Sequence, residues 1–280
     1  MEFWFNFKQF SIQTMSNPAI SYAHITRVTD TLVTATEDAL AAEEPLEIRL
    51  VHGHQQQSIT VTMRSPGQDE ELAAGFLFTE GIITQYAAIQ SISYYDNVAT
   101  VTLQPGVTPS LQPAQRNFLA NAGCGVCGKT ELEAIFAPVE RTYTDIKVPL
   151  EIFYNLPAKL RAQQAVFDNT GGLHAAALFN TEGELLFLRE DIGRHNAVDK
   201  LIGTALKEKL PFSQYGLLLS GRVGFELIQK AAMAGIPVIA AVGAPSSMAV
   251  KMAKEWDITL IGFLREGRFN IYHGEGKVAF

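Results

Sequence analysis

Cysteine is almost missing from this chain: its 280 residues contain two, Cys124 and Cys127. Two thiols at this length cannot make a disulfide framework, which points to a reducing compartment, expected to be the cytoplasm. Charge is sparse as well. Charged residues are 18% of the chain against 47% apolar, which excludes a disordered polypeptide. Positive charge is the scarcer sign and the net charge is −7, so no bulk attraction to nucleic acid or to an anionic membrane is expected. A membrane-spanning run is also lacking. The longest apolar stretch, 236–244, suits a buried strand and its exit loop. The N-terminus, Met1-Glu2-Phe3-Trp4-Phe5-Asn6-Phe7-Lys8, lacks the sustained apolar segment and cleavage site of a signal peptide. Met15 is an alternative start, with the residues before it a loose extension. There is no internal repeat or low-complexity segment, and the length suits one large domain or two ordinary ones.

What is present centres on Gly123-Cys124-Gly125-Val126-Cys127-Gly128-Lys129-Thr130. Thiols at this spacing can share a metal, close a small disulfide or pass sulfur between them. Glycines leave the sulfur atoms uncrowded. Thr130-Glu131-Leu132-Glu133 fits a capping box, predicting a helix over 131–136. A helix N-terminus and the Lys129 ammonium both favour thiolate over thiol.

Two patterns flank this stretch. Residues 22–120 read as a strand-rich α+β domain. Segments 46–51 and 58–63 alternate around Gly53 as a hairpin, a helix over 69–80 ends at Gly81, and 89–95 with 97–103 form another strand pair. That helix is expected to carry Leu72, Phe76 and Leu77 on one side. Pro105, Pro109 and Pro113 mark a loop toward the cysteines, and 121–148 is the cysteine loop with its connecting helix. Residues 149–280 change to a helix over 150–164, a hairpin across Asn180-Thr181-Glu182-Gly183, and then repeated helix–strand units. That order predicts an α/β sheet with helices on both faces.

Several chemistries compete for the cysteine pair. A structural zinc wants four ligands, usually in two pairs; no second cysteine pair exists, and of His24, His52, His54, His174, His195 and His273 only His52 and His54 are close, at a spacing that is not a finger pattern. A thioredoxin-like redox pair stays open, although it normally follows a strand near a chain start. Gly123 to Thr130 also matches the phosphate loop of nucleotide hydrolases, but the preceding residues 113–121 are too polar for the strand that such a loop requires. A zinc deaminase needs H-x-E ahead of P-C-x-x-C, and here His273-Gly274-Glu275 comes after the cysteines.

A ligand pocket is expected elsewhere. Glycine-rich breaks follow four predicted strands: Glu190-Asp191-Ile192-Gly193-Arg194-His195-Asn196, Ser220-Gly221-Arg222, Gly243-Ala244-Pro245-Ser246-Ser247 and Phe263-Leu264-Arg265-Glu266-Gly267-Arg268. Parallel strands bring such breaks to one edge, where ligands bind. Helix N-termini there, with Arg194, Arg222, Arg265 and Arg268, suit a phosphorylated ligand, and His174 and His195 flank the same edge.

Taken with Arg64-Ser65-Pro66-Gly67-Gln68-Asp69-Glu70-Glu71-Leu72, Gly75-Phe76-Leu77-Phe78-Thr79-Glu80-Gly81 and the long run from Glu190 to Lys200, these motifs resemble the FdhD family of formate dehydrogenase accessory sulfurtransferases. The resemblance runs from about residue 43 to 272. It implies a cytidine-deaminase-like, three-layer α/β/α C-terminal domain without deaminase function, beside the smaller N-terminal domain. It implies a sulfur carrier that receives persulfide sulfur from a cysteine desulfurase. The sulfur then passes to the molybdenum (or tungsten) bis-guanine-dinucleotide cofactor, which is bound as substrate before entering formate dehydrogenase. It implies Cys124 as the persulfide carrier with Cys127 beside it, and Phe263, Leu264, Arg265, Glu266, Gly267 and Arg268 as cofactor-binding, no catalytic metal, and a homodimer. Two positions depart from the family pattern: Gly123 stands where a serine is usual, and Glu266 where a smaller residue is common.

Overall fold

A computed structural model describes residues 17–111 and 144–280. Cys124, Cys127, the helix expected over 131–136 and the alternative start at Met15 lie outside the described residues. A long ribbon comes first, β1 (Ile20–Thr29) paired antiparallel with β2 (Leu32–Ala41). β3 (Glu44–His52) and β4 (Gln55–Arg64) make the hairpin expected around Gly53. Helix α1 (Asp69–Thr79) follows, then β5 (Ile89–Tyr95) and β6 (Val98–Leu103). The sheet order is β4-β3-β6-β5, with β3 and β6 parallel at its centre. Strand alternation puts Leu46, Ile48, Leu50, Ala99, Val101 and Leu103 into one core with α1.

The C-terminal part begins with β7 (Val148–Pro149), α2 (Leu150–Gln163) and a short α3 (Ala165–Thr170) that the sequence pattern did not reveal. Next come β8 (His174–Phe179), β9 (Leu185–Asp191), α4 (Arg194–Lys207), β10 (Gly216–Leu219) and α5 (Phe225–Ala234). The chain closes with β11 (Val238–Ala241), α6 (Ser247–Glu255), β12 (Thr259–Arg265), β13 (Arg268–His273) and β14 (Val278–Ala279). The sheet order is β13-β12-β11-β10-β8-β9, with β10, β11 and β12 mutually parallel. Alternate residues feed opposite faces. Leu217, Leu219, Ile239, Ala241 and Leu260 pack with α4, α5 and α6, while Leu218, Val238, Ala240 and Ile261 pack with α2. The result is a two-domain α/β architecture with helices on both faces of the larger sheet.

Helix α1 is not one-sided. Leu72, Ala73, Ala74 and Leu77 join the N-terminal core, Phe76 is only partly buried, and Gly75 faces α4. A helix apolar around most of its girth belongs between two packed layers, and α1 lies between its own sheet and α4. The contact needs glycine on both sides. A Cβ on Gly75 would sit 1.8 Å from the Asp199 carbonyl oxygen, and one on Gly203 would sit 1.9 Å from that of Glu71.

Candidate functional site

All four glycine-rich breaks do meet at one edge of the larger sheet. β9 and β10 each pair antiparallel with β8, so β9 ends on the same edge as β10, β11 and β12. β8 and β13 run oppositely and begin there, at His174 and Arg268. The turns after β10 and β11 are laced together. Gly243 N–H donates to the Gly221 carbonyl (3.1 Å) and Val223 N–H to that of Ala244 (3.0 Å). A side chain at Gly243 would meet Gly221 oxygen at 2.4 Å, so only glycine permits this approach.

Residues 263–268 form the tip of the β12–β13 hairpin, because β12 continues to Arg265 rather than stopping at residue 262. The tip is anchored to the neighbouring turn. Phe263 N–H donates to the Gly243 carbonyl (3.1 Å), and Arg265 Nη1 to that of Val242 (2.7 Å). Phe263 is 43% exposed at φ +54°, a left-handed conformation costly for an aromatic residue, at a break in strand register. Arg265, Glu266, Gly267 and Arg268 are exposed, whereas Leu264 is fully buried in the core beneath α2. The structure therefore leaves the Leu264 side chain no part in binding a ligand.

Val242 also borders a cleft of about 410 Å³, together with Ser220, Gly221, His174, Phe167 and Arg161. Ser220 Oγ accepts from Ala175 N–H (2.8 Å), which fixes the turn against β8. The Arg161 guanidinium lies 4.4 Å over the Phe167 ring and pairs with Asp168 at 2.7 Å. The cleft thus has an aromatic and cationic wall, a glycine-rich floor and a histidine at one end, and falls in the size range of small-ligand pockets. Burial, followed by the charges of Arg194, His195 and Arg222, pushes the His174 imidazole below its ordinary range. Across from His195, Glu226 is held low. Burial opposes its ionisation, and His195, a backbone N–H and Arg194 outweigh it.

The run from Glu190 to Lys200 does something its sequence did not announce. Much of it locks the two domains together. Asp191 is fully buried; its Oδ2 accepts from Ser65 N–H (3.1 Å) and from Lys200 Nζ (2.8 Å). Lys200 also donates to the Ser65 carbonyl (2.8 Å), and Asn196 Nδ2 to that of Met63 (2.7 Å). Asp199 pairs with Lys230 at 2.9 Å and accepts from Thr79 at 2.8 Å, while Glu71 forms a two-point bridge with Arg189. Glu190 caps α3, accepting from Val166 N–H (3.0 Å) and Phe167 N–H (2.9 Å). The Arg64 to Leu72 motif is the other half of this seam. A spacing of well over a hundred residues hid the pairing from sequence reasoning. The only available signal was the presence of Asp and Lys at helix positions otherwise filled by apolar residues. Among the described residues no three His, Cys, Asp or Glu side chains come together as a metal site, and no helix is long and apolar enough to cross a membrane.

Comparison with known proteins places these features in context. Residues 41–279 match the family model described as the FdhD/NarQ family. The chain is 48% identical over 269 residues to the sulfur carrier protein FdhD of Streptomyces avermitilis, covering 91% of this chain and 94% of that one. It is 42% identical over 254 residues to the sulfur carrier protein FdhD of Saccharolobus solfataricus, covering 90% and 95% respectively. Among solved structures, a candidate formate dehydrogenase accessory protein from Desulfotalea psychrophila superposes with a TM-score of 0.73 at 24% identity, over 94% of this chain and 100% of that one. That last likeness shows the fold.

Proposed function

The chain belongs to the FdhD/NarQ family, and from that membership we propose that it is a sulfur carrier serving formate dehydrogenase maturation. In this reading a cysteine desulfurase transfers its persulfide sulfur to the Cys124 thiolate and recovers its own thiol. The sulfur then passes to the molybdenum bis-guanine-dinucleotide cofactor, the substrate of the second step, before that enters formate dehydrogenase. Cys127 stands close enough in sequence to attack the Cys124 persulfide and share or release the sulfur. The cofactor's guanine nucleotide ends are assigned to the cleft and its rim. Ser220 and Gly221 provide the floor, Arg222 the adjoining turn, and Phe263, Arg265, Glu266, Gly267 and Arg268 the hairpin tip. The larger domain, from about residue 149, is assigned to the cytidine-deaminase-like class, and the working unit to a homodimer.

The observation that carries this reading is a family match spanning 41–279, which includes both cysteines and all four edge turns. Intact-mass analysis after incubation with a desulfurase and cysteine tests it. A gain of one sulfur on the Cys124 peptide, absent in Cys124→Ala, is expected. Cells carrying only Cys124→Ala should lack formate dehydrogenase activity, and normal activity there would refute the assignment.

A further inference from the structure

The β1–β2 ribbon stands apart from both larger sheets. Among the described residues no further strand pairs with either of its edges. A two-stranded ribbon alone is marginally stable in water. This one is fixed at its root. Ala42 N–H donates to the Ala19 carbonyl (2.9 Å), β2 packs on α3, and a Cβ on Gly172 would lie 3.2 Å from that of Ala41.

Residues opposite one another in an antiparallel pair share a face, so the register sorts the ribbon in two. On one face Ala23, Ile25, Thr36 and Asp38 are half-buried, which turns that face to the body of the protein. The other face carries four rows: Tyr22 with Ala39, His24 with Glu37, Thr26 with Ala35, and Val28 with Val33. Apart from half-buried Ala39, all eight are exposed. Tyr22, Val28 and Val33 are 68%, 64% and 62% open to solvent. Single apolar residues on a surface are ordinary, but several aligned on one unobstructed face mark an interaction surface.

This face is complementary to itself. Consider two copies packed face to face about a two-fold axis that runs along the ribbon. β1 of one copy lies over β2 of the other, and each row lies over its own counterpart. Tyr22 then covers Ala39 of the second copy, large against small, and Val28 meets Val33 of the second copy. The His24 imidazole comes over the Glu37 carboxylate of the second copy, and the two-fold repeats every contact. Within one chain His24 Nε2 and Glu37 Oε1 are 3.8 Å apart, beyond hydrogen-bond reach, so each is free to pair across the axis. No like charges oppose one another.

We propose that this face of the ribbon is the surface through which two copies of the chain associate. The proposal rests on the reading of the working unit as a homodimer, and it goes further by assigning the interface.

Sedimentation velocity on the full chain, over a range of concentrations, tests it. The parent should form a dimer. Val28→Lys with Val33→Lys sets ammonium against ammonium across the axis. It should raise the dimer dissociation constant at least tenfold and leave the near-ultraviolet circular dichroism unchanged. His24→Glu sets carboxylate over carboxylate and should also weaken the dimer, and adding Glu37→Lys should restore it. Should the lysine variant fail to fold, this charge exchange decides alone. A dimer indifferent to every folded variant overturns the interface and leaves the homodimer standing. A parent that stays monomeric overturns both, and sulfur loading of Cys124 by a desulfurase would still uphold the carrier reading. A folded lysine variant that remains dimeric but no longer takes sulfur from the desulfurase overturns the second copy as occupant and gives the face to that enzyme.

Discussion

Asp191 accepts from Gly193 N–H, Asn196 Nδ2, Ser65 N–H and Lys200 Nζ, and is fully buried. Removing the cation would leave a carboxylate that water cannot reach. Lys200→Met should therefore destabilise the protein by about 3–5 kcal/mol, the usual cost of breaking one side of a buried pair. A urea midpoint equal to that of the parent would contradict this. His174 gives a pH prediction. Burial first, then the three neighbouring cations, lowers its folded pKa below the ordinary 6.5. The unfolded chain then binds that proton more readily. Stability is complete above 6.5 and falls as pH drops from 6.5 toward the lowered value. His174→Gln does not titrate and should flatten this acid-side slope. Urea midpoints measured from about pH 7.5 to pH 5.5 decide it, and parallel slopes for the two proteins would count against it. The histidine was visible in sequence as a residue flanking the edge. Arg194, His195 and Arg222 were visible there too; what the sequence did not show is that burial outweighs them in lowering the His174 pKa.

At the level of elements, the crossing of α1 over α4 is the most restrictive contact. Backbone lies against backbone at Gly75 and Gly203, with no side chain free to yield. Gly203→Ala improves helix propensity by about 1 kcal/mol, yet its methyl must push the helices apart. Overpacking costs of about 1–3 kcal/mol or more should dominate, so a lower thermal midpoint is expected and a higher one would refute the packing argument. The positions of α4, α5, α6 and the intervening strands followed from periodicity and turn residues, since each is a local pattern. Two local readings needed correction. The β12 strand ran past residue 262 because antiparallel pairing with β13 supplies hydrogen bonds that apolar content does not reveal. The apolar girth of α1 was underestimated, because alanine and glycine carry little hydrophobic signal even where they are fully buried.

For the whole molecule, the seam decides how the domains behave. Interfaces between domains of one chain are usually polar and permit relative motion. Here the polar groups are buried and mutually satisfied across Ser65–Asp191–Lys200 and Thr79–Asp199–Lys230. The two domains should therefore unfold together. Calorimetry is expected to show one transition, with matching calorimetric and van't Hoff enthalpies, and two resolved peaks would show that the seam does not couple them. The sequence by itself determined the strand-rich first half, the helix–strand order of the second, the turns that gather at one edge, the family and the cysteines on which the carrier reading rests. Those depend on local spacing and on motifs a single chain displays. Only tertiary structure decided that the long motif from Glu190 chiefly joins the domains, that Leu264 points into the core, and that His195 faces Glu226 from the start of α4. Each of these depends on which distant side chains meet in a region that excludes water, where an unpaired polar group is costly.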